Sequence, residues 1–250
     1  MRSKLVEKIV ETDHTFFFRH TDLTDHTDIL ACAKGRIYSF LNPVSYLEAM
    51  KHQELFGQMD GLFADGGMLV GSIRMAYGIK VHRRSFDMTS LAPAILKDAV
   101  EHGRSVYLVG AMQEEVERAV TVIQEHYKGI NIVGYKNGYF ASEQEMEAEV
   151  RHIVELQPDL LIVGMGVIRQ ERFLLKVKEA GFKGVGFTCG GFIHQASQNM
   201  LDYYPKWISR MNLRFLYRMW KEPHTRKRYI KAGVVFPVKF IAEKWKRSEY

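Results

Sequence analysis

The chain has 250 residues, is 46% apolar and 26% charged, and carries a formal charge of +6, a balance ordinary for a soluble globular protein long enough to bury a core. No apolar run reaches the roughly 18 residues of a membrane-spanning helix, and scattered charges in residues 1–18 replace a leader's apolar block, so neither feature is expected. Charge is uneven: residues 201–250 hold 13 Lys/Arg against 4 Asp/Glu, nine positive charges in excess, while the first 200 residues net −3.

Residues 1–34 are polar and show no clear element. From Gly35 the pattern becomes regular. Residues 36–41 read as a short apolar strand closed by Asn42-Pro43, and Pro43 suits the first turn of a helix over 44–51. Residues 61–64 form a second strand that breaks at Asp65-Gly66-Gly67, before a helix over 68–77. A strand over 105–109 ends at Gly110, and 113–126 has helical periodicity. The next strand, 130–133, ends at Gly134, and the helix over 142–156 opens with Ser142 and Glu145 spaced as a capping box. The fully apolar strand 159–163 ends at Gly164, 170–180 is helical, and 184–188 is the last strand. Short apolar strands alternating with helices predict a Rossmann-like α/β fold, a parallel sheet covered by helices on both faces. Residues 1–200 are expected to form this core, with 1–34 a poorly defined lead-in and 201–250 a basic helical appendage.

An open parallel sheet binds ligands beyond the carboxyl ends of its strands. Here those ends carry Asn42, Asp65-Gly66-Gly67, Gly110, Gly134, Gly164-Met-Gly166 and Thr188-Cys-Gly-Gly191. Glycines there either let a phosphate approach the backbone or simply end strands. Neither G-x-G-x-x-G nor a P-loop occurs, and Asp-x-Asp is absent. The stretch from His20 to Asp28 is rich in potential metal ligands but reads more simply as a polar loop. No metal and no cofactor are expected. Cys32 and Cys189 are the only cysteines and read as reduced cytosolic thiols.

The tail holds all three tryptophans, Trp207, Trp220 and Trp245, among its cations. Such a mixture suits anionic phosphate beside apolar lipid. A nucleic-acid backbone is the competing partner, but no recognised nucleic-acid motif supports it. Phe236, Phe240 and Ile241 have helical spacing, with Trp245 four beyond and Lys239, Lys244, Lys246 and Arg247 around them. They read as an interfacial helix, or as one packed on the chain's own core or on a second subunit, which leaves a homo-oligomer open.

In order along the chain stand Asn42-Pro43, Ala64-Asp65-Gly66, the stretch 83–87, Val106-Tyr-Leu-Val-Gly110, Gly138-Tyr-Phe140, Pro158-Asp159, Val163-Gly-Met-Gly166, Gln170-Glu171, Val185-Gly186, Tyr204-Pro205-Lys-Trp207, Leu213-Arg214-Phe-Leu-Tyr217-Arg218, Glu222-Pro223 and Arg228-Tyr229. This ordered set resembles the WecG/TagA/CpsF family of bacterial glycosyltransferases from about Gly35 to Tyr229. The resemblance implies an inverting, metal-independent enzyme. It would move a sugar from a UDP-sugar to a polyprenyl-diphosphate-linked sugar in surface polysaccharide synthesis, at the inner face of the plasma membrane.

On that resemblance Asp65 is the catalytic base. Asn42, Arg83, Gly110, Gly164, Gly166, Gln170, Arg214, Arg218 and Arg228 bind substrate. Arg84 rivals Arg83, because the local match needs a one-residue gap. Asp65 read alone could cap the following helix, Asn42 could make only a turn, and Glu171 reads as a first-turn helix acid. The chain departs from the family at Phe40 (usually Thr), Ile168 (usually Pro) and residues 188–192, where Phe-Asp is usual. These departures put the donor sugar in doubt and leave a non-catalytic nucleotide-sugar or lipid-linked-sugar binding module as the alternative.

Overall fold

A computed structural model describes residues 3–18, 28–199, 214–221 and 226–246. Its centre is a six-stranded sheet, parallel throughout, in the order β2-β1-β6-β5-β3-β4. The strands are β1 (Ile37–Leu41), β2 (Gly61–Ala64), β3 (Ser105–Gly110), β4 (Asn131–Lys136), β5 (Leu160–Gly164) and β6 (Val185–Thr188). The α/β fold expected from the alternation is therefore present, with strand limits shifted by a residue or so. The exception is β4, which runs on to Lys136 instead of ending at Val133. It is an edge strand with alternating exposure, so its pattern carries a weaker signal than the buried strands.

Side chains of the buried strands alternate between two cores. Leu160 and Ile162 enter one, Leu161 and Val163 the other, and Val106/Leu108 and Tyr107/Val109 divide in the same way. The first core is closed by α2 (Ile29–Cys32), α6 (Leu91–Glu101), α7 (Gln113–His126) and α10 (Phe192–Asn199). The second is closed by α1 (Lys4–Phe18), α3 (Pro43–Ala49), α4 (Gln53–Gly57), α5 (Gly67–Tyr77), α8 (Glu143–Leu156) and α9 (Arg169–Glu179). Ser142 caps α8 by accepting from Glu145 N at 3.1 Å.

Residues 1–34, expected to be poorly defined, hold a core helix. Leu5, Val6, Ile9 and Val10 of α1 are buried, and Thr12 Oγ1 accepts from Leu62 N at 2.9 Å. That bond satisfies a backbone donor on β2, an edge strand. Helices α2, α4, α6 and α10 are further elements that the sequence pattern did not identify.

The tail contributes α11 (Arg214–Lys221) and α12 (Arg226–Lys246). The expectation that placed Phe236, Phe240, Ile241 and Trp245 on one side is corrected here. Phe236 and Phe240 are buried against Tyr46 at ring distances of 5.6 and 5.4 Å, whereas Ile241 and Trp245 are exposed. Tyr46 Oη, held between Ser3 Oγ and Glu243, donates to Glu243 Oε2 at 2.9 Å. Burial of two whole aromatic side chains, each contributing about 1.5–3 kcal/mol, outweighs leaving them for another surface.

Candidate active site at the carboxyl edge of the sheet

Strands β1 and β2 pair in register up to Leu41 and Ala64, so Asn42 and Asp65 are the next residues of adjacent strands. Asp65 N donates to Leu41 O at 2.7 Å, which fixes the Asp65 backbone against the end of β1. The half-buried Asp65 is not the N-cap of α5. That position belongs to Gly66, whose φ of 89° is open to glycine at little cost. Asn42 is a cap: its Oδ1 accepts from Val44 N and Ser45 N at 3.0 and 3.1 Å, and Ser45 Oγ accepts from Asn42 N at 2.8 Å. Asn42 is thus the N-cap of α3 instead of the turn that Asn-Pro suggested, and its side-chain oxygen serves the backbone.

Both candidate arginines lie beside the same strand end. Arg84 N donates to Ala64 O at 2.8 Å, and Arg83 Nη2 donates to Ser85 Oγ at 3.2 Å. Ser85 in turn donates to Asp87 Oδ2 at 2.7 Å. Upstream, Asp13 Oδ2 accepts from His82 N and pairs with His82 Nδ1 at 3.0 Å, which ties this segment to α1. Burial lowers the pKa of Arg84 more than the nearby Asp13 charge restores it.

The glycines divide into two kinds. A Cβ on Gly110 would sit 2.4 Å from Gly164 O, and one on Gly164 would sit 2.8 Å from Cys189 Sγ. These two are needed for close packing of β3, β5 and the segment after β6. Gly166, with φ 80°, has nothing within 4 Å of the same position and opens the turn into α9.

Gln170, the second residue of α9, is buried and belongs to a polar chain between α9 and the adjacent strands β1 and β6. Thr188 Oγ1 donates to Ser39 Oγ at 3.0 Å. Ser39 donates to Glu171 Oε1 at 2.8 Å, and Gln170 Nε2 donates to the same oxygen at 2.9 Å. Glu171 Oε2 accepts from Ile168 N at 2.5 Å. Glu171 is only 1% exposed and is not the ordinary first-turn acid expected. Burial pushes its pKa up, against the pull of these donors. Gln170 Oε1 accepts no hydrogen bond among the described residues, a state that costs about 1–3 kcal/mol for a buried acceptor. Ile168 adopts φ 76°, a conformation costing roughly 1–3 kcal/mol in a β-branched residue.

Other departures from the family pattern are also accounted for. Phe40 stacks on Phe63 at 5.1 Å within an aromatic cluster that includes Phe86 and Phe187. His194 Nδ1 meets Glu115 Oε1 at 2.6 Å in the first turns of α10 and α7. Cys189 is buried, which pushes its thiol up to about 12. Arg169 Nε donates to Met165 O while its guanidinium lies 5.7 Å from the Tyr139 ring centre.

Beyond this edge, Arg228 is exposed, its guanidinium 5.7 Å from the Tyr229 ring centre. The side chains of Arg214 and Arg218 lie outside the described residues. So do residues 20–27 of the ligand-rich stretch; its last member, Asp28, caps α2 through Ala31 N and pairs with Arg104. The nearby Asp98 accepts from Ile29 N and Leu30 N, so both carboxylates are committed to helix ends.

The fold is an open parallel α/β sheet, a class that binds ligands beyond the carboxyl ends of its strands. The chain belongs to the WecG/TagA/CpsF family of glycosyl transferases, whose model matches residues 18–250. It is 32% identical over 207 residues, covering 83% of this chain and 86% of the relative, to the UDP-Gal:alpha-D-GlcNAc-diphosphoundecaprenol beta-1,4-galactosyltransferase of Shigella boydii. It is 25% identical over 229 residues (88% and 87%) to the N-acetylglucosaminyldiphosphoundecaprenol N-acetyl-beta-D-mannosaminyltransferase of Bacillus subtilis. The protein of that same name from Bacillus spizizenii is 24% identical over 229 residues (89% and 85%). The chain is thus a glycosyltransferase.

Proposed function

We propose that this enzyme transfers a sugar, with inversion, from a UDP-sugar to N-acetylglucosaminyl-diphospho-undecaprenol at the inner face of the plasma membrane, in surface polysaccharide synthesis. The three relatives differ in the sugar they add, but each is named for a GlcNAc-diphosphoundecaprenol acceptor. The shared acceptor carries over more readily than either donor.

The observation that supports the chemistry best is Asp65, half-buried beyond β2 and fixed by its backbone to the end of β1. In this reading its carboxylate takes the proton of the acceptor hydroxyl as that oxygen attacks the anomeric carbon. The bond to UDP breaks, and UDP leaves with the electron pair. Arg83 or Arg84, with Arg214, Arg218 and Arg228 from the tail, meets the charge on the diphosphates, as guanidinium groups pair well with phosphate. Asn42, Gln170 and the backbone at Gly110, Gly164 and Gly166 line the donor. A panel of UDP-sugars incubated with GlcNAc-diphospholipid in liposomes should yield a disaccharide lipid with one donor. Donor binding without product from any acceptor would favour the binding-module alternative.

Residues 201–250 are read as an appendage that holds the enzyme on anionic lipid. No helix among the described residues is long and apolar enough to cross a membrane. However, Ile230, Val234, Val238, Ile241 and Trp245 recur every three or four residues along α12, all 49–70% exposed. Lys227, Lys231, Lys239 and Lys244 accompany this stripe, and each cation near anionic lipid contributes about 1 kcal/mol. The double variant V234E/V238E should remain folded yet fail to sediment with anionic liposomes. Sedimentation equal to wild type would remove the stripe from membrane binding.

A further inference from the structure

We infer that Glu171 is a positioning residue of the donor site: its carboxylate fixes the direction of the Gln170 carboxamide, so that the carbonyl oxygen is offered to the donor. The inference rests on the transferase reading above and assigns Glu171, Ser39 and Thr188 a part in it.

Glu171 faces three donors: Ser39 Oγ at 2.8 Å and Gln170 Nε2 at 2.9 Å on Oε1, and Ile168 N at 2.5 Å on Oε2. A carboxylate has only acceptor sites to give, so the end of Gln170 that meets it must be the amide NH₂. The sense of the chain is set by the carboxylate, to which Ser39 can only donate. Thr188 Oγ1 donates to Ser39 Oγ, leaving the Ser39 hydrogen for Glu171. Ser39 and Thr188 stand on neighbouring parallel strands, and Gln170 and Glu171 in the first turn of α9, which holds all four in place. The Ile168 backbone, at a φ of 76°, is held at this point by its bond to Glu171.

With its NH₂ committed, Gln170 has one group left. Oε1 is fully buried and accepts nothing among the described residues, although Gln170 as a whole is 5% exposed. An acceptor so placed beside the open turn at Gly166 calls for an N–H or O–H from a ligand. On a UDP-sugar the available groups are the uracil imide, a ribose hydroxyl and a hydroxyl of the transferred sugar. Replacing Glu171 with Gln reverses the logic. The new side chain can meet Ile168 N with its carbonyl and turn its own NH₂ toward Gln170. Gln170 then flips and presents a donor where an acceptor is needed.

The test is titration calorimetry of the full chain with UDP and with the UDP-sugar panel, on wild type, Q170A, E171Q and the double variant Q170A/E171Q. Each single variant should bind about tenfold more weakly, the value of one lost hydrogen bond. The double variant should bind no more weakly than Q170A, because Glu171 acts only through Gln170. E171D, which keeps a carboxylate, should recover part of the loss. Weakening with UDP alone assigns the bond to uracil or ribose, and weakening only with a UDP-sugar assigns it to the transferred sugar. If E171Q does not fold, E171M, which fills a similar volume but offers Gln170 no acceptor, should weaken binding in the same sense. Wild-type affinity in E171Q, or in E171M where that stands in for it, or losses that multiply in the double variant, would overturn the inference alone. A folded wild type that binds neither UDP nor any UDP-sugar would overturn the transferase reading together with it.

Discussion

Glu171 is the residue at which sequence and structure part most instructively. Its position three residues into α9 after a turn makes it look like one of many acids at helix starts. Only the sheet order, which brings β1 and β6 next to each other, places Ser39 and Thr188 within reach. The adjacent Gln170 was legible because the family motif carries it. Asn42 read as a substrate group or as a turn before Pro43, and the local geometry makes it a helix cap. The Glu115–His194 pair falls in the same class as Glu171, since the two are joined across α7 and α10 and separated by 79 positions. Burial raises the Glu115 pKa, but the Met112 N–H and His194 together outweigh it and leave the carboxyl below 4.5. A depressed acid stabilises the fold above its unfolded pKa and loses that contribution as pH falls through the folded value. Wild type should therefore lose more thermal stability than E115Q as pH is taken below 4.5. Parallel curves in calorimetry would contradict the assignment.

At the scale of elements, the buried strands were readable because parallel strands covered on both faces become continuous apolar runs, as in Leu160-Leu-Ile-Val163. Helix α1 was missed although Leu5, Val6, Ile9 and Val10 repeat at helical spacing. Polar residues between them obscured a stripe that only packing against β2 makes meaningful. Helix α12 has apolar residues on two sides, and periodicity alone does not say which side is inner. Its core side is Ala232, Phe236 and Phe240, set against Tyr46 and Tyr77. Phe236→Ala should cost about 3–5 kcal/mol through lost burial and the cavity left behind. Denaturant melts would show this directly, and a cost below roughly 1 kcal/mol, near the ordinary surface range, would mean the helix is not held there.

For the molecule as a whole, the tail helix α12 presents two different faces. Its inner face completes the core beside α3 and α5, the helices that begin directly after Asn42-Pro43 and Asp65-Gly66. Its outer face is the exposed apolar stripe with its lysines. Binding the outer face to lipid would bring the carboxyl edge of the sheet near the surface where a lipid-linked acceptor lies. The positive excess of residues 201–250 led to the expectation of an anionic partner, whereas the division of the helix into two faces depends on the fold.

The central claim is that Asp65 removes the acceptor proton. The measurement is acceptor-dependent UDP release by wild type and D65N, in liposomes containing GlcNAc-diphospholipid. Release should require the acceptor and fall by about 10²–10⁴-fold in D65N, with donor affinity retained. Turnover in D65N equal to wild type would contradict it.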